Sequence, residues 1–204
     1  MATFDPKTIL AELEALRVKD KERRVFGAND HDYALAPKLS LREVEAVEEQ
    51  FGVELPRDYR TFLLEIGAGG AGPAYGIFPL VKVGTWGWDG EGSNLTRELK
   101  TPFPHTKAWN LSYPEMSEDE DEDAYWERRE KWDDEVYWNP KQTTGAICIC
   151  HEGCAIRDWL VVTGEERGRI WLDDRASDGG LIPREMTFAD WYLKWLSVTT
   201  QSLL

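Results

Sequence analysis

The sequence is poor in cysteine, in histidine and in uninterrupted apolar segments. It holds three cysteines and three histidines in 204 residues. A small, odd number of cysteines argues against a disulfide framework and suits a reducing cytoplasm. No apolar run is long enough to cross a bilayer, and the N-terminal residues lack the basic start and apolar core of a signal peptide. We therefore expect a cytoplasmic protein that makes no membrane contact.

Positive charge is also scarce, since 24 Lys and Arg residues face 38 Asp and Glu residues for a formal net charge of -14. A chain this acidic repels phosphate backbones, so we expect no direct nucleic-acid binding. Acidity can speed the encounter with a basic protein partner, and it can equally serve only to keep a protein in solution. Its distribution favours a specific role, because residues 115–135 alone hold twelve acidic and three basic residues.

The segment from about residue 113 to 138 is therefore treated as an acidic insertion. It contains an unbroken run of carboxylates: Glu118, Asp119, Glu120, Asp121, Glu122 and Asp123. Its second half has helical composition and places Trp126, Arg129 and Asp133 roughly on one helical face. We predict that this insertion carries much of the individual character of the protein.

The stretch from Ser40 to Leu80 predicts two helices, a glycine-rich loop and the start of a strand over residues 76–83. Ser40 and Glu43 have capping-box spacing, and Gly52 marks the end of the first helix. Pro56 suits the first position of a second helix. The apolar stripe of that second helix consists of Tyr59, Phe62, Leu63 and Ile66, and Gly67, Gly69, Gly70 and Gly72 follow it.

The remainder of the chain predicts a first helix over residues 7–20, strands over 146–150, 159–162 and 169–172, and a final helix. That helix opens at Thr187 with Asp190 three residues on, and its apolar face is rich in aromatic residues. This pattern is typical of an α+β fold, an antiparallel or mixed sheet packed with N-terminal helices and a C-terminal helix. We expect one domain over residues 1–204, with the acidic insertion inside it.

Motifs that could carry chemistry are weak. Cys148, Cys150, His151 and Cys154 could supply zinc ligands, but the first two alternate with isoleucines in a predicted strand and read better as buried thiols. The Gly67–Gly72 loop lacks the Lys-Ser/Thr of a phosphate-binding loop. Acidic residues from Asp119 to Glu130 imitate a calcium loop, but alanine stands where that loop requires glycine. We expect no catalytic residues, no metal and no cofactor.

Tryptophan is abundant, with ten residues, and most lie in apolar patterns typical of a core. Trp86 and Trp88 differ, because they stand in a predicted glycine-rich loop beside Asp89. An aromatic residue in such a loop is either a lid on the core or an anchor for a partner, and both interpretations stay open. The predicted partner-binding residues are thus Trp86, Trp88, Asp89 and Trp126, together with the run from Glu118 to Asp123.

One combination of motifs resembles the SUKH superfamily, the Smi/Knr-like domain. A glutamate-rich helix leads to Leu55-Pro56, then to a helix beginning Asp58-Tyr59-Arg60, and then to glycines and a strand. The resemblance covers roughly residues 38–196 without the acidic insertion. The residues that match the structural motif of the family are Leu55, Pro56, Tyr59, Phe62, Leu63 and Gly70.

The resemblance implies an α+β domain without a catalytic constellation. Bacterial members of this superfamily are commonly immunity proteins that neutralise a cognate toxin, often a nuclease, and fungal members regulate cell-wall synthesis through protein contacts. We therefore expect a non-enzymatic protein-binding module, and the role we favour is that of an immunity protein for a toxin with a basic surface. The alternative is a regulatory scaffold, and a third possibility is a sugar-binding protein or enzyme that uses Trp86, Trp88 and nearby carboxylates.

Overall fold

A computed structural model describes residues 4–204, which form helices packed against antiparallel strands. The α-helices are α1 (Pro6–Lys19), α2 (Ala28–His31), α3 (Leu41–Phe51), α4 (Arg57–Thr61), α5 (Glu122–Trp132) and α6 (Phe188–Ser202). The strands are β1 (Leu80–Val83), β2 (Thr85–Trp88), β3 (Ala146–Gly153), β4 (Ile156–Val161), β5 (Arg169–Asp173) and β6 (Leu181–Thr187). The fold is α+β, with helices at both ends of the chain, as the sequence predicts.

The strands form two antiparallel sheets, a β1–β2 hairpin and a four-stranded sheet in the order β3-β4-β5-β6. Single bridges extend the larger sheet beyond both edges. Ile77 pairs with Cys150 of β3, and Trp109 pairs with Leu181 of β6. The segment around Ile77 and the segment before the acidic insertion therefore lie at opposite edges of one sheet.

The predicted junction between α3 and α4 is largely confirmed. Ser40 and Glu43 form a reciprocal capping box at the start of α3, and Gly52 ends it in a left-handed conformation. Pro56 lies one position earlier than predicted, because it is the N-cap of α4 rather than its first helical residue. After Thr61 the helix continues with one π-helical turn, Phe62–Ile66. The whole predicted stripe of this helix is buried, whereas Leu41 of α3 is exposed.

Gly70 shows why the loop after α4 needs glycine. Its φ angle is 102°, in the region that side-chain-bearing residues rarely adopt. A Cβ at this position would collide with the carbonyl oxygen of Ala34, because Gly70 bridges both Leu35 and Ile77. The loop is thus a close crossing of three backbone segments. This explains Gly70 as a structural residue.

The strands differ from the sequence prediction in several details. Strand β3 ends three residues later than the predicted 146–150, and β4 begins three residues earlier than the predicted 159–162. The strand predicted over residues 76–83 is regular only over β1, where it follows Pro79, a residue that cannot donate to a ladder. The Trp86–Trp88 segment is strand β2 and not a loop, although Gly87 suggests a turn. Strand β6 was not predicted at all, since Pro183 and adjacent charged residues hide its pattern.

The core is one continuous cluster of buried residues drawn from α1, α2, α3, α4 and α6 and from both sheets, whereas α5 contributes no residue to it. Helix α6 begins with the predicted capping box of Thr187 and Asp190 and buries Phe188, Trp191 and Tyr192. The Tyr192 hydroxyl donates a hydrogen bond of 2.9 Å to the carbonyl of Ala71, which fixes the glycine loop to this helix. Within residues 4–204, no helix is both long enough and apolar enough to span a membrane.

Candidate functional site

The acidic run of the insertion leads into a helix, because Glu118 to Asp121 precede α5 and Glu122 and Asp123 open it. The Asp121 carboxylate accepts hydrogen bonds from the backbone N–H groups of Asp123 (3.1 Å) and Ala124 (3.3 Å) and so caps α5. Glu122 and Asp123 occupy the first turn, where negative charge interacts favourably with the helix dipole. Among the described residues, no group of three or more His, Cys, Asp or Glu side chains has an arrangement that could hold a metal ion.

The arginines of α5 are engaged in contacts within the insertion. Arg128 forms a two-pronged interaction with Glu120, in which Nε and Nη2 lie 2.8 and 2.7 Å from the two carboxylate oxygens. These hydrogen bonds from Arg128 lower the pKa of Glu120. The Arg129 guanidinium lies 4.0 Å from the centre of the Tyr113 ring, a cation–π contact. Only Arg128 of these two cations pairs with a carboxylate, so most acidic residues of the segment have no ion-pair partner among the described residues.

A cluster of aromatic rings holds the insertion against the edge of the sheet. Trp132 stacks on Tyr137 with ring centres 5.5 Å apart, and Tyr137 stacks in turn on Trp109, which pairs with β6. The hydroxyl of Tyr137 donates to Asn110 Oδ1 at 2.8 Å, and that of Tyr113 donates to Asp178 Oδ1 at 2.9 Å. The insertion is therefore an ordered part of the fold in this structure.

Arg175 joins the insertion to the interior of the sheet. Its buried guanidinium donates to both carboxylate oxygens of Asp173 on β5, at 2.8 and 2.6 Å. Its third nitrogen, Nη1, donates to the carbonyl of Tyr137 at 2.8 Å, and the guanidinium lies 4.8 Å from the Trp138 ring centre. Trp159 Nε1 donates to the same Asp173 carboxylate at 3.2 Å. The sequence reasoning missed this connection, because Asp173 to Arg175 reads as an ordinary polar turn.

The outer surface of the insertion, which we call the acidic face, consists of Glu118, Asp119, Glu122, Asp123 and Trp126. The four carboxylates are exposed and make no side-chain hydrogen bond or ion pair with any residue in the range 4–204. Trp126 is 52% exposed, its ring packs edge-on against Tyr125, and the Arg129 guanidinium lies 5.5 Å from the ring centre. The predicted residues Glu120 and Asp121 lie beside this face, but they pair with Arg128 and cap α5.

The structure places Trp86, Trp88 and Asp89 elsewhere, on and after β2. Both indoles are only 8% exposed, and Trp88 Nε1 donates a 2.8 Å hydrogen bond to the hydroxyl of Tyr59. The backbone of Trp86 is held by the side-chain amide of Gln50 through two 2.8 Å hydrogen bonds. The burial of both rings favours the interpretation as a lid on the core, and of the three residues only Asp89 is exposed.

The three cysteines near the end of β3 lie in different surroundings. Cys148 and Cys150 are buried, as predicted. Burial raises the pKa of Cys148 to about 12 and also raises that of Cys150, so both thiols stay protonated at neutral pH. The Cys150 thiol donates to the carbonyl of Pro73 at 3.2 Å. Cys154 is exposed in the turn that follows the strand.

Most of the residues that match the structural motif of the family are buried. Leu55, Pro56, Tyr59, Phe62 and Leu63 all lie in the interior, and Gly70 forms the backbone crossing described above. No curated protein and no solved structure matches the chain. The sequence model of the SMI1/KNR4 family (SUKH-1) matches residues 38–194, which is well over half of the chain. The chain belongs to the SMI1/KNR4 family (SUKH-1), a relationship that its buried α3–α4 motif supports.

Proposed function

We propose that this protein is a non-catalytic protein-binding module, and that it acts as an immunity protein for a bacterial toxin with a basic surface. The observation that carries the proposal is the acidic face, in which four exposed carboxylates without an ion-pair partner precede and open the helix that carries the half-exposed Trp126. The immunity role within the family comes from the resemblance to bacterial SUKH proteins. The proposal places the protein in the cytoplasm, where it would meet a toxin that attacks intracellular targets.

Electrostatics support a partner of opposite charge. Clustered charges of one sign steer a complementary surface during the encounter and can raise association rates substantially at low salt. Arg128 pairs with Glu120, and Arg129 lies over the Tyr113 and Trp126 rings. The insertion stays strongly negative because residues 115–135 hold twelve acidic residues against three basic ones. A nuclease toxin would present a basic site built for phosphates, and a row of carboxylates can occupy such a site in place of a nucleic acid.

Trp126 gives the acidic face an apolar centre. Tryptophan is enriched among residues that contribute most to protein–protein binding, especially where charged residues around it exclude water. An indole has few rotatable bonds, so a half-exposed tryptophan loses little conformational freedom when it is covered by a partner. Charge at the rim would then govern the rate of encounter, and Trp126 would slow dissociation.

The test uses the toxin candidate encoded by the gene adjacent to this one. Purified full-length protein is added to that candidate, and inhibition of its toxic activity and binding are both measured. The variant Glu118→Gln, Asp119→Asn, Glu122→Gln, Asp123→Asn removes four charges from the acidic face and leaves the Glu120–Arg128 pair and the Asp121 cap intact. The matched control removes four charges from exposed glutamates elsewhere, with Glu14→Gln, Glu45→Gln, Glu49→Gln and Glu165→Gln.

Inhibition by the unaltered protein and by the control, together with weaker inhibition by the acidic-face variant, supports the proposal. A neighbouring gene that encodes no toxin, with binding instead to a cell-wall synthesis regulator, would favour the alternative scaffold role. The sugar-binding alternative predicts a change in tryptophan fluorescence when oligosaccharides are added, and the proposal predicts none.

A further inference from the structure

A second surface of the protein carries a pocket at the opposite edge of the sheet from the acidic insertion. The pocket has a volume of about 490 Å³ and lies where β3 ends and turns into β4. The side chains that matter for its chemistry are Asp30, Tyr75, Phe78, Glu91 and His151. Phe78 is buried and forms an apolar wall, whereas Asp30 and Glu91 are exposed carboxylates at the opening.

His151 presents an unused polar atom at this pocket. The residue is 8% exposed, and its Nε2 atom is buried without a hydrogen-bond partner in the part of the chain that the structure describes. The nearest acidic atom is Glu91 Oε1, 3.6 Å from Nε2, which is beyond hydrogen-bond distance. An unpaired buried polar group is costly, so this gap is a place where a ligand donor would gain a contact with both groups.

Aromatic rings line the same opening. Tyr75 stacks on the His151 ring with centres 5.6 Å apart, and its backbone N–H donates to the His151 carbonyl. Phe26 packs on the outer side of Tyr75 at 5.2 Å between ring centres and is 60% exposed. Such an exposed pair of rings next to carboxylates offers both parts of a cation-binding environment, ring faces and negative charge.

No lysine or arginine lines the pocket. One cation, Arg157, is held next to the lining residue Ala155, because its Nη1 donates to the Ala155 carbonyl at 2.6 Å. Two carboxylates therefore face the opening against one neighbouring guanidinium that is held to the backbone. The combination of planar rings, forked acceptors and an unpaired imidazole nitrogen matches a guanidinium better than an ammonium group, because a guanidinium is planar and offers several donors.

We infer that the pocket formed by Asp30, Tyr75, Phe78, Glu91 and His151 receives an arginine side chain of a basic protein partner. The guanidinium lies beside the Tyr75–Phe26 pair of rings, donates to the carboxylates of Asp30 and Glu91, and donates to His151 Nε2 in the tautomer that carries its proton on Nδ1. This inference rests on the proposed role as a protein-binding module. It assigns that role a second contact, at the sheet edge far from the acidic face.

The test uses a small probe, so that it needs no partner. N-acetyl-arginine amide is titrated into the full-length, ¹⁵N-labelled protein, and amide chemical shifts are followed. The inference predicts saturable shifts at Tyr75, Gly153 and Ala155, with the millimolar affinity expected of a single side chain. The neutral isostere N-acetyl-citrulline amide should give much smaller shifts, and spermidine should bind no more tightly than the arginine probe.

Two charge-neutralising variants sharpen the test. Asp30→Asn and Glu91→Gln should each weaken arginine binding roughly two- to five-fold, the range expected for one exposed ion pair. Glu165→Gln removes the same charge from a distant exposed hairpin and should leave the affinity unchanged. The shift pattern of each unliganded variant shows whether its fold is intact.

Several outcomes would overturn the inference. One is that the citrulline probe binds as tightly as the arginine probe, or that spermidine binds more tightly. Another is that no shifts occur at the pocket at about 50 mM arginine probe, a concentration far above the expected Kd. A third is that all three variants lose the same affinity for the arginine probe. The result also separates this inference from the proposed function. If the unaltered protein binds the arginine probe but does not inhibit the toxin candidate, the immunity role alone is contradicted. If it inhibits the toxin candidate but does not bind the arginine probe, the inference about the pocket alone is contradicted.

Discussion

The indole nitrogen of Trp88 donates a hydrogen bond to the hydroxyl of Tyr59 across 2.8 Å in the protein interior. This contact joins α4, which carries the family motif, to strand β2, which the sequence presents as a loop. Tyr59 is fully buried, and burial raises its pKa above the usual value near 10. The hydroxyl therefore remains protonated, and its role is to satisfy a buried donor.

Replacing Tyr59 with phenylalanine should destabilise the protein by about 1–3 kcal/mol, because the buried Trp88 N–H loses its acceptor. Denaturant unfolding of Tyr59→Phe measures the change. The double variant Tyr59→Phe, Trp88→Phe removes donor and acceptor together, and its loss should be smaller than the sum of the two single losses. Additive losses would show that the hydrogen bond contributes nothing to stability.

The connection through Arg175 yields a second prediction. Arg175→Met leaves the Asp173 carboxylate buried without its cation, and breaking a buried ion pair in this way typically costs about 3–5 kcal/mol. The free energy of unfolding should fall by that order, and amide hydrogen exchange in α5 should accelerate, because Tyr137 loses its link to β5.

Neutralising both partners provides the control for this prediction. In Asp173→Asn, Arg175→Met the uncompensated charge is gone, so much of the stability should return, while exchange in α5 stays fast. Equal exchange rates for α5 in the unaltered protein and in both variants would contradict the role of Arg175 in holding the insertion.

His31 supplies a pH-dependent prediction. Its Nδ1 accepts a hydrogen bond from the backbone N–H of Tyr33 at 3.0 Å, so the ring must be neutral at that nitrogen. Burial lowers the pKa of His31 below its usual value near 6.5, with a smaller contribution from Arg23 in the same direction and opposing ones from Asp30 and Asp32. In the unfolded chain the ring takes up a proton more readily. The stability that His31 provides is therefore present above about pH 6.5 and falls as pH drops below it.

His31→Asn keeps a side-chain acceptor near the Nδ1 position and removes the titration. Thermal unfolding measured from pH 8 to pH 5 should show a shallower loss of stability in this variant than in the unaltered protein. His105, whose pKa burial also lowers, titrates in both proteins, so the difference between the two curves reports His31. Parallel curves would contradict this account.

The sequence predicts the helical part of the fold well, because its signals are local. The caps at Ser40 and Thr187, the stop at Gly52 and the apolar stripe of α4 all depend on residues a few positions apart. Strand β6 escaped prediction because its pairing with β5 is set by distant residues that its own Pro183 and charges obscure. Likewise, the glycines around Trp86 and Trp88 suggested a loop, whereas pairing with β1 makes the segment a strand.

For the candidate sites too, features that depend on nearby residues can be predicted from the sequence, whereas features that depend on tertiary contacts cannot. The acidic face follows from composition, since a run of carboxylates ahead of a helical segment is visible in the sequence. The residues that hold it do not, because Tyr113, Arg175 and Asp178 meet only through tertiary packing. The pocket at His151 was not predicted either, since Phe26, Tyr75 and Glu91 are distant in sequence and none belongs to a recognisable motif.

We propose that the acidic face recognises a basic protein partner. The association rate constant with the toxin candidate encoded by the adjacent gene tests this proposal most directly. We predict that this rate falls steeply as salt rises, since exposed charges are screened over about 8 Å at physiological ionic strength. The four-charge variant of the acidic face should associate more slowly at low salt and show a flatter salt dependence, while the four-charge control stays close to the unaltered protein. Equal rates and equal salt slopes for the two variants would contradict the account.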